Sequence, residues 1–179
     1  MKNSITTRKI TVAALFMAMN IALSSYGIPV PGGHLYLCDV VICTAAILLD
    51  PFHAFVVGGV GSFLGDFFFY PAPMFVSLAT HGLQAVVISL CAHKLFKKHS
   101  QWGAVIGVTV GAVIMVIGYT LGRAFVYSTP EYSIAKLPYE ILQAAVGAVA
   151  GIILCYPCGL RKVYGRFFAN NMSESHRQS

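Results

Sequence analysis

Charge is what this sequence has least of. Only 10% of its 179 residues are Asp, Glu, Lys or Arg, and just six are acidic. Soluble domains carry about 25% charged residues, so an ordinary water-facing globule is excluded. The chain has one tryptophan, no Gly-Lys-Ser/Thr phosphate loop and no stretch that reads as a separate soluble domain. Nucleotide binding by the phosphate-loop route is therefore excluded. The cysteines number five, an odd count, and four lie in apolar runs, so no disulfide framework follows. Cys155 and Cys158 form a CxxC that ends an apolar run without a second ligand pair; they read as small apolar residues near a helix end. No His, Cys and Asp grouping has metal-ligand spacing, and no cofactor is expected.

What the chain has is hydrophobicity: 57% apolar residues and a mean hydropathy of +0.74. This is an all-α membrane protein, a single compact bundle over residues 1–179. A span needs about 20 apolar residues, with a range of roughly 17–25. Six are predicted, at about 10–27, 35–49, 52–69, 74–95, 103–126 and 138–159. The second and third meet at Asp50-Pro51 and have a re-entrant pair as their alternative. The opening MKNSITTRK resembles a signal-peptide n-region, but no small-residue cleavage site follows it, so the first helix is expected to be retained.

The net charge of +6 does not point to nucleic acid, because the basic residues sit at the ends of apolar runs. Lys2, Arg8 and Lys9 precede the first span. Lys94, Lys97 and Lys98 separate the fourth from the fifth, and Arg161, Lys162, Arg166 and Arg177 follow the sixth. Only Arg123 and Lys136 remain for the other side, so both termini are expected in the cytoplasm. In that orientation Asp39, Asp66, His81, Gln84, Glu140 and Gln143 all fall in the outer half of their spans. An ionisable group at membrane depth needs a partner or a cavity, so this clustering predicts a polar pocket open to the outside. The connection Ile28–His34, with its prolines and glycines, and the connection from Val126 to Leu137 would cover it as a lid.

Each candidate has a plainer reading beside it. Asp39 and Asp66 suit a substrate hydroxyl, amine or ring nitrogen, or else pair with Arg123 or His81 inside the fold. His81 and Gln84 lie one helical turn apart on one face and are favoured as pocket lining; Glu140 and Gln143 repeat the pattern. Tyr36, Tyr70, Tyr119, Tyr127, Tyr132 and Tyr139 cluster toward the outside, as interfacial belt residues or as stacking surfaces. His34 and His53 fall in loops and read as solvated. Ser77, His81 and Asp66 would make a nucleophilic triad only by chance. Ala14, Ala18 and Ala22 recur every four residues and offer a close-approach face, either to another helix of this chain or to a partner. Gly61 and Gly65 form a GxxxG, favoured as ordinary helix packing.

These features together resemble the substrate-binding S component of an energy-coupling factor (ECF) vitamin transporter. The resemblance is carried by GHLYLCD at Gly33 to Asp39, Leu49-Asp50-Pro51, Gly58-Gly59-Val60-Gly61-Ser62 with Asp66 after it, and Tyr70-Pro71. It is nearest to the hydroxymethylpyrimidine or pyridoxine type of lactobacilli; Asp50 departs from it, standing where glycine is more usual. The resemblance implies a bacterial plasma-membrane protein that binds a vitamin and is not an enzyme. Its partners would be a transmembrane coupling (T) protein and two cytoplasmic ATPases (A and A′), which bind the ATP. Delivery would proceed by toppling of the subunit in the membrane, with Ala14, Ala18 and Ala22 as the docking face. The implied substrate-binding set is His34, Tyr36, Asp39, Asp66, Tyr70, His81, Gln84, Tyr119, Glu140 and Gln143. Pantothenate and riboflavin are the alternative cargoes, and an autonomous secondary transporter the alternative class.

Overall fold

The computed structural model describes residues 2–95 and 100–177, with side chains described from Thr6 to Phe168 outside that gap. Lys97 and Lys98, and the side chains of Lys2 and Arg177, lie outside the described residues. The described residues form seven helices: α1 (Lys2–Ser24), α2 (Cys38–Leu48), α3 (Pro51–Phe69), α4 (Met74–Leu95), α5 (Ser100–Tyr127), α6 (Pro130–Cys155) and α7 (Leu160–Arg177). α3 to α6 are each long and apolar enough to cross a membrane. α1 has 23 residues, but its first turns carry the polar opening of the chain. α2 has only 11, or about 16 Å at 1.5 Å per residue, too short to cross alone.

α2 is the centre of the bundle. Ten of its residues are buried, from Cys38 to Leu48 with only Val40 partly exposed, because α1, α3, α4 and α6 all pack around it. A helix enclosed on every side reads as apolar all round, which is why its sequence shows no amphipathic stripe. Ile42 and Ile47 pack with Ala85 and Ile88 of α4 and Val108 of α5 in the main core. Ala45 and Leu49 join Ala13 of α1 and Val57 of α3 in a second cluster. On the outside, Leu15, Ile117, Phe125 and Val149 are all more than half exposed, a surface suited to lipid rather than water.

Lipid gives no hydrophobic drive to helix association, so close approach of small residues matters most. Gly147 and Gly151 of α6 face α2: a Cβ on Gly147 would stand 2.5 Å from the Asp39 Cβ, and one on Gly151 2.8 Å from the Cys43 Cβ. Gly61 and Gly65 pack on Asn20 and Ser24 of α1, the helix-packing role favoured for that GxxxG. Asn20 donates to the Val57 carbonyl and to Ser62 Oγ. The opposite face of α1 carries Ala14, Ala18 and Ala22, all exposed.

Several expectations need correction. The expected lid segment from Val126 to Leu137 is not a loop. Tyr127 ends α5, and α6 begins at Pro130, eight residues before the predicted start of the sixth span. Thr129 caps α6 by accepting from Tyr132 N, Pro130 takes the first helical position, and Pro138 sits inside the helix. An interior proline removes one backbone hydrogen bond, which membrane helices tolerate; the polar Glu131–Lys136 stretch had obscured this turn. The other expected lid connection is ordered as a hairpin, β1 (Ile28–Val30) antiparallel to β2 (Gly33–Leu35), so His34 lies in a strand. Its turn has Pro31 at the second position and Gly32 at φ +80° at the third, as a type II turn requires. His53 lies in the first turn of α3, not in a loop. The helix α7, joined to α6 through Gly159 at φ +77°, was not anticipated.

One end of the bundle gathers the basic residues. Lys9 contacts Asp50 at 3.3 Å, and Arg8 donates to the Phe167 carbonyl. Arg161 donates to the Tyr156 hydroxyl, which itself donates to the Ser100 carbonyl. Asp50 also accepts from the His53 backbone and caps α3.

Candidate functional site

At the opposite end from that basic cluster, a cavity of about 300 Å³ opens beneath the β-hairpin. Three local features shape it. The hairpin turn rests on α6 so closely that a Cβ on Gly32 would stand 2.8 Å from the Tyr132 carbonyl oxygen and 2.9 Å from Lys136 N. α5 ends in a widened π turn, Arg123–Tyr127, closed by Ser128 N donating to the Arg123 carbonyl at 3.0 Å. Such turns recur at functional sites, and here Arg123 and Tyr127 both line the cavity. The early start of α6 brings Tyr132 and Lys136 to the same wall.

The predicted set divides in two. His34, Tyr36, Asp66, Tyr70, Tyr119, Glu140 and Gln143 line the cavity. Asp39, His81 and Gln84 do not; they are 1%, 2% and 1% exposed and lie inside the bundle. Of the two readings of Asp39, the geometry matches structural pairing. Gln84 Nε2 donates to its Oδ1 at 3.1 Å and Gln143 Nε2 to its Oδ2 at 2.7 Å. His81 Nδ1 is bonded to Gln84 Oε1 at 2.7 Å, so that nitrogen carries the proton, because an amide oxygen only accepts. Gln143 Oε1 in turn accepts from Tyr36 N at 2.9 Å. The network runs from α4 through α2 to α6 and the exit of the hairpin, and it ties the cavity rim to the core. His81 also packs beside the cavity-lining Tyr119, whose ring centroid lies 5.1 Å from its own.

Asp66 accepts a hydrogen bond from Ser77 Oγ, which is also bonded to the Tyr119 hydroxyl. His81 is bonded to Gln84 instead of Ser77, so no proton relay joins Ser77, His81 and Asp66 among the described residues. Glu140 is the charged centre of the far wall. Arg123 Nη1 stands 2.7 Å from Glu140 Oε1, and Lys136 Nζ donates to the same oxygen at 3.1 Å. Glu140 Oε2 and the Tyr127 hydroxyl are buried without a hydrogen-bond partner among the described residues, so this wall carries polar atoms with unused hydrogen-bonding capacity.

The cavity lining also includes Arg123, Tyr127, Tyr132 and Lys136, which the predicted set left out; of these Lys136 was the least expected. It was placed in a loop, yet its i, i+4 spacing to Glu140 and the Thr129-Pro130 start signal were both visible. Cys38, Asp39 and His81 bring one ligand atom each within 4.8 Å of one another, a grouping that sequence spacing does not show. In this grouping Asp39 and the His81 Nδ1 are already engaged by glutamine side chains. All five cysteines are free, and only Cys158 is exposed.

Comparison with curated proteins gives no match. Residues 4–161 match the family described as ECF-type riboflavin transporter, S component. That match covers every cavity-lining residue, α2 to α6 and all of α1 but its first two residues. With the apolar, lipid-suited helices already described, it establishes a membrane transporter subunit: the chain belongs to the ECF-type S-component family.

Proposed function

We propose that this subunit captures a small hydroxymethylated nitrogen heterocycle, hydroxymethylpyrimidine or pyridoxine, from outside the cell. The observation that carries the reading is the cavity itself. Asp66 stands on one wall and the Arg123–Lys136–Glu140 group on another, with tyrosines between. Ligand cavities run from roughly 300 to 1,000 Å³, and this one, at about 300 Å³, is at the small end. A single flat ring fits that scale. Riboflavin, with three fused rings and a ribityl chain, needs more apolar room, and the family description alone does not assign it to this chain. Pantothenate would find cations in Arg123 and Lys136, but it has no ring for the tyrosine faces.

Uptake would be driven by partners: a transmembrane T protein and two cytoplasmic ATPases, with the subunit toppling to deliver its cargo. The exposed stripe Ala14, Ala18 and Ala22 supports docking through α1, since small residues admit a second helix at close range. The decisive experiment is Asp66→Ala, read by calorimetry with both heterocycles. Loss of one hydrogen bond to a charged acceptor should weaken binding by roughly 1.5–3 kcal/mol. Unchanged affinity for both would remove Asp66 from the site and the reading with it.

A further inference from the structure

One wall of the cavity holds more positive than negative charge. Arg123, Lys136 and Glu140 are 7%, 3% and 1% exposed, and both cations converge on the single oxygen Glu140 Oε1. Two cations thus share one carboxylate oxygen on this wall, and buried cations favour negative charge facing them. The other two carboxylates lie off this wall: Asp66 stands on another wall, hydrogen-bonded by Ser77, and Asp39 lies inside the bundle between Gln84 and Gln143. The same wall carries the open Tyr127 hydroxyl, and the Arg123 guanidinium lies 5.7 Å from the centre of the Tyr127 ring.

We infer that Arg123 and Lys136 form an anion subsite that receives an acidic oxygen borne on the ligand's aromatic ring, which makes the cargo a hydroxypyridine of the vitamin B6 class. This rests on the heterocycle reading above and decides between its two members. The ring hydroxyl of a hydroxypyridine is acidic and passes its proton to the ring nitrogen, giving an oxyanion and a pyridinium N–H on one flat ring. The oxyanion gives Arg123 and Lys136 a second negative oxygen to share, and the N–H suits the Asp66 carboxylate. An aminopyrimidine has no acidic group and offers the two cations no anionic oxygen. An aliphatic carboxylate would supply the charge but leave the tyrosine faces unmatched.

The test is calorimetry of the full-length chain with pyridoxine, its analogue lacking the ring hydroxyl, hydroxymethylpyrimidine and pantothenate, repeated on Lys136→Gln. The expected result is that pyridoxine binds tightest, and that removing the hydroxyl costs roughly tenfold or more, the scale of one charge-assisted hydrogen bond. Lys136→Gln should reduce pyridoxine binding by a similar factor and leave the deoxy analogue within about threefold, because the two losses report one interaction. Equal losses for both ligands in the variant would make Lys136 a structural residue and overturn the subsite. Tightest binding of hydroxymethylpyrimidine would overturn the subsite while leaving the heterocycle reading intact. Tightest binding of pantothenate would overturn the ring-oxygen assignment and the heterocycle reading together. A chain that binds none of the four would overturn both.

Discussion

Replacing Gln143 by leucine should both destabilise the bundle and loosen the cavity rim. Its side chain bridges three elements, donating to Asp39 Oδ2 at 2.7 Å and accepting from Tyr36 N at 2.9 Å. Leucine removes both functions at nearly constant volume. The Asp39 carboxylate stays buried and loses a hydrogen bond worth roughly 1.5–3 kcal/mol. The Tyr36 N–H loses its acceptor, at a cost of roughly 1–3 kcal/mol where it is shielded from water. Together these predict a loss of about 3 kcal/mol or more, which for a chain of this length lowers Tm by roughly 6–12 °C. Ligand affinity should fall as well, since Tyr36 and the hairpin lose their tie to α6. Gln143→Glu restores the acceptor for Tyr36 but sets two carboxylates face to face, so it should remain destabilised. Thermal unfolding in detergent reads the effect. A Tm for Gln143→Leu within about 2 °C of the parent would refute the bridging role.

Three further outcomes are expected. Gly147→Ala would place a Cβ 2.5 Å from that of Asp39 and should cost roughly 1–3 kcal/mol by overpacking. Gly165→Ala in α7, with nothing within 4 Å, should be neutral or slightly stabilising; equal effects in thermal melts would contradict the close α2–α6 contact. Ala14→Leu with Ala18→Leu should abolish uptake in cells while the purified chain still binds ligand, and unimpaired uptake would contradict docking through α1. Partial burial alone would raise the pKa of Asp50, but hydrogen bonds from His53 and Lys9 outweigh it and hold the pKa below the ordinary value. A depressed folded-state value gives stability that is present above the unfolded pKa of about 3.9 and lost as pH falls below it. With side chains 38% exposed, the Lys9 pair contributes under about 1 kcal/mol. Asp50→Asn should therefore change Tm little at pH 7 and flatten the acid side of the stability profile.

The bundle was legible in the sequence because each long helix is a continuous apolar run bounded by charge or proline. α3 and α4 begin and end within about a residue of their expected limits. α6 was not, because its first two turns carry Glu131, Tyr132 and Lys136 and hydropathy reads such a stretch as a loop. The cap signal Thr129-Pro130 lies at the true start, eight residues before the predicted one. The site was legible by region and not by wall. Asp39, Gln84 and His81 are joined to the cavity-lining Gln143 and Tyr119, but depth along a helix does not say whether a side chain faces the cavity or the helix beside it. Here Gly147 brings α6 so close to Asp39 that its carboxylate is enclosed by amides. That contact follows from Gly147 and Gly151, a second small-xxx-small pair that could have pointed to it. An effect of His81→Ala or Gln84→Ala on binding is accordingly expected to come with a loss of stability.

The central claim is that this S component holds a small hydroxymethylated heterocycle in the cavity between Asp66 and Arg123. Calorimetry of the detergent-purified chain against pyridoxine, hydroxymethylpyrimidine, pantothenate, riboflavin, thiamine and folate tests it most directly. The account predicts tight binding of pyridoxine or hydroxymethylpyrimidine without ATP or partner proteins. Tight binding of riboflavin instead, or of no vitamin in the set, would contradict it.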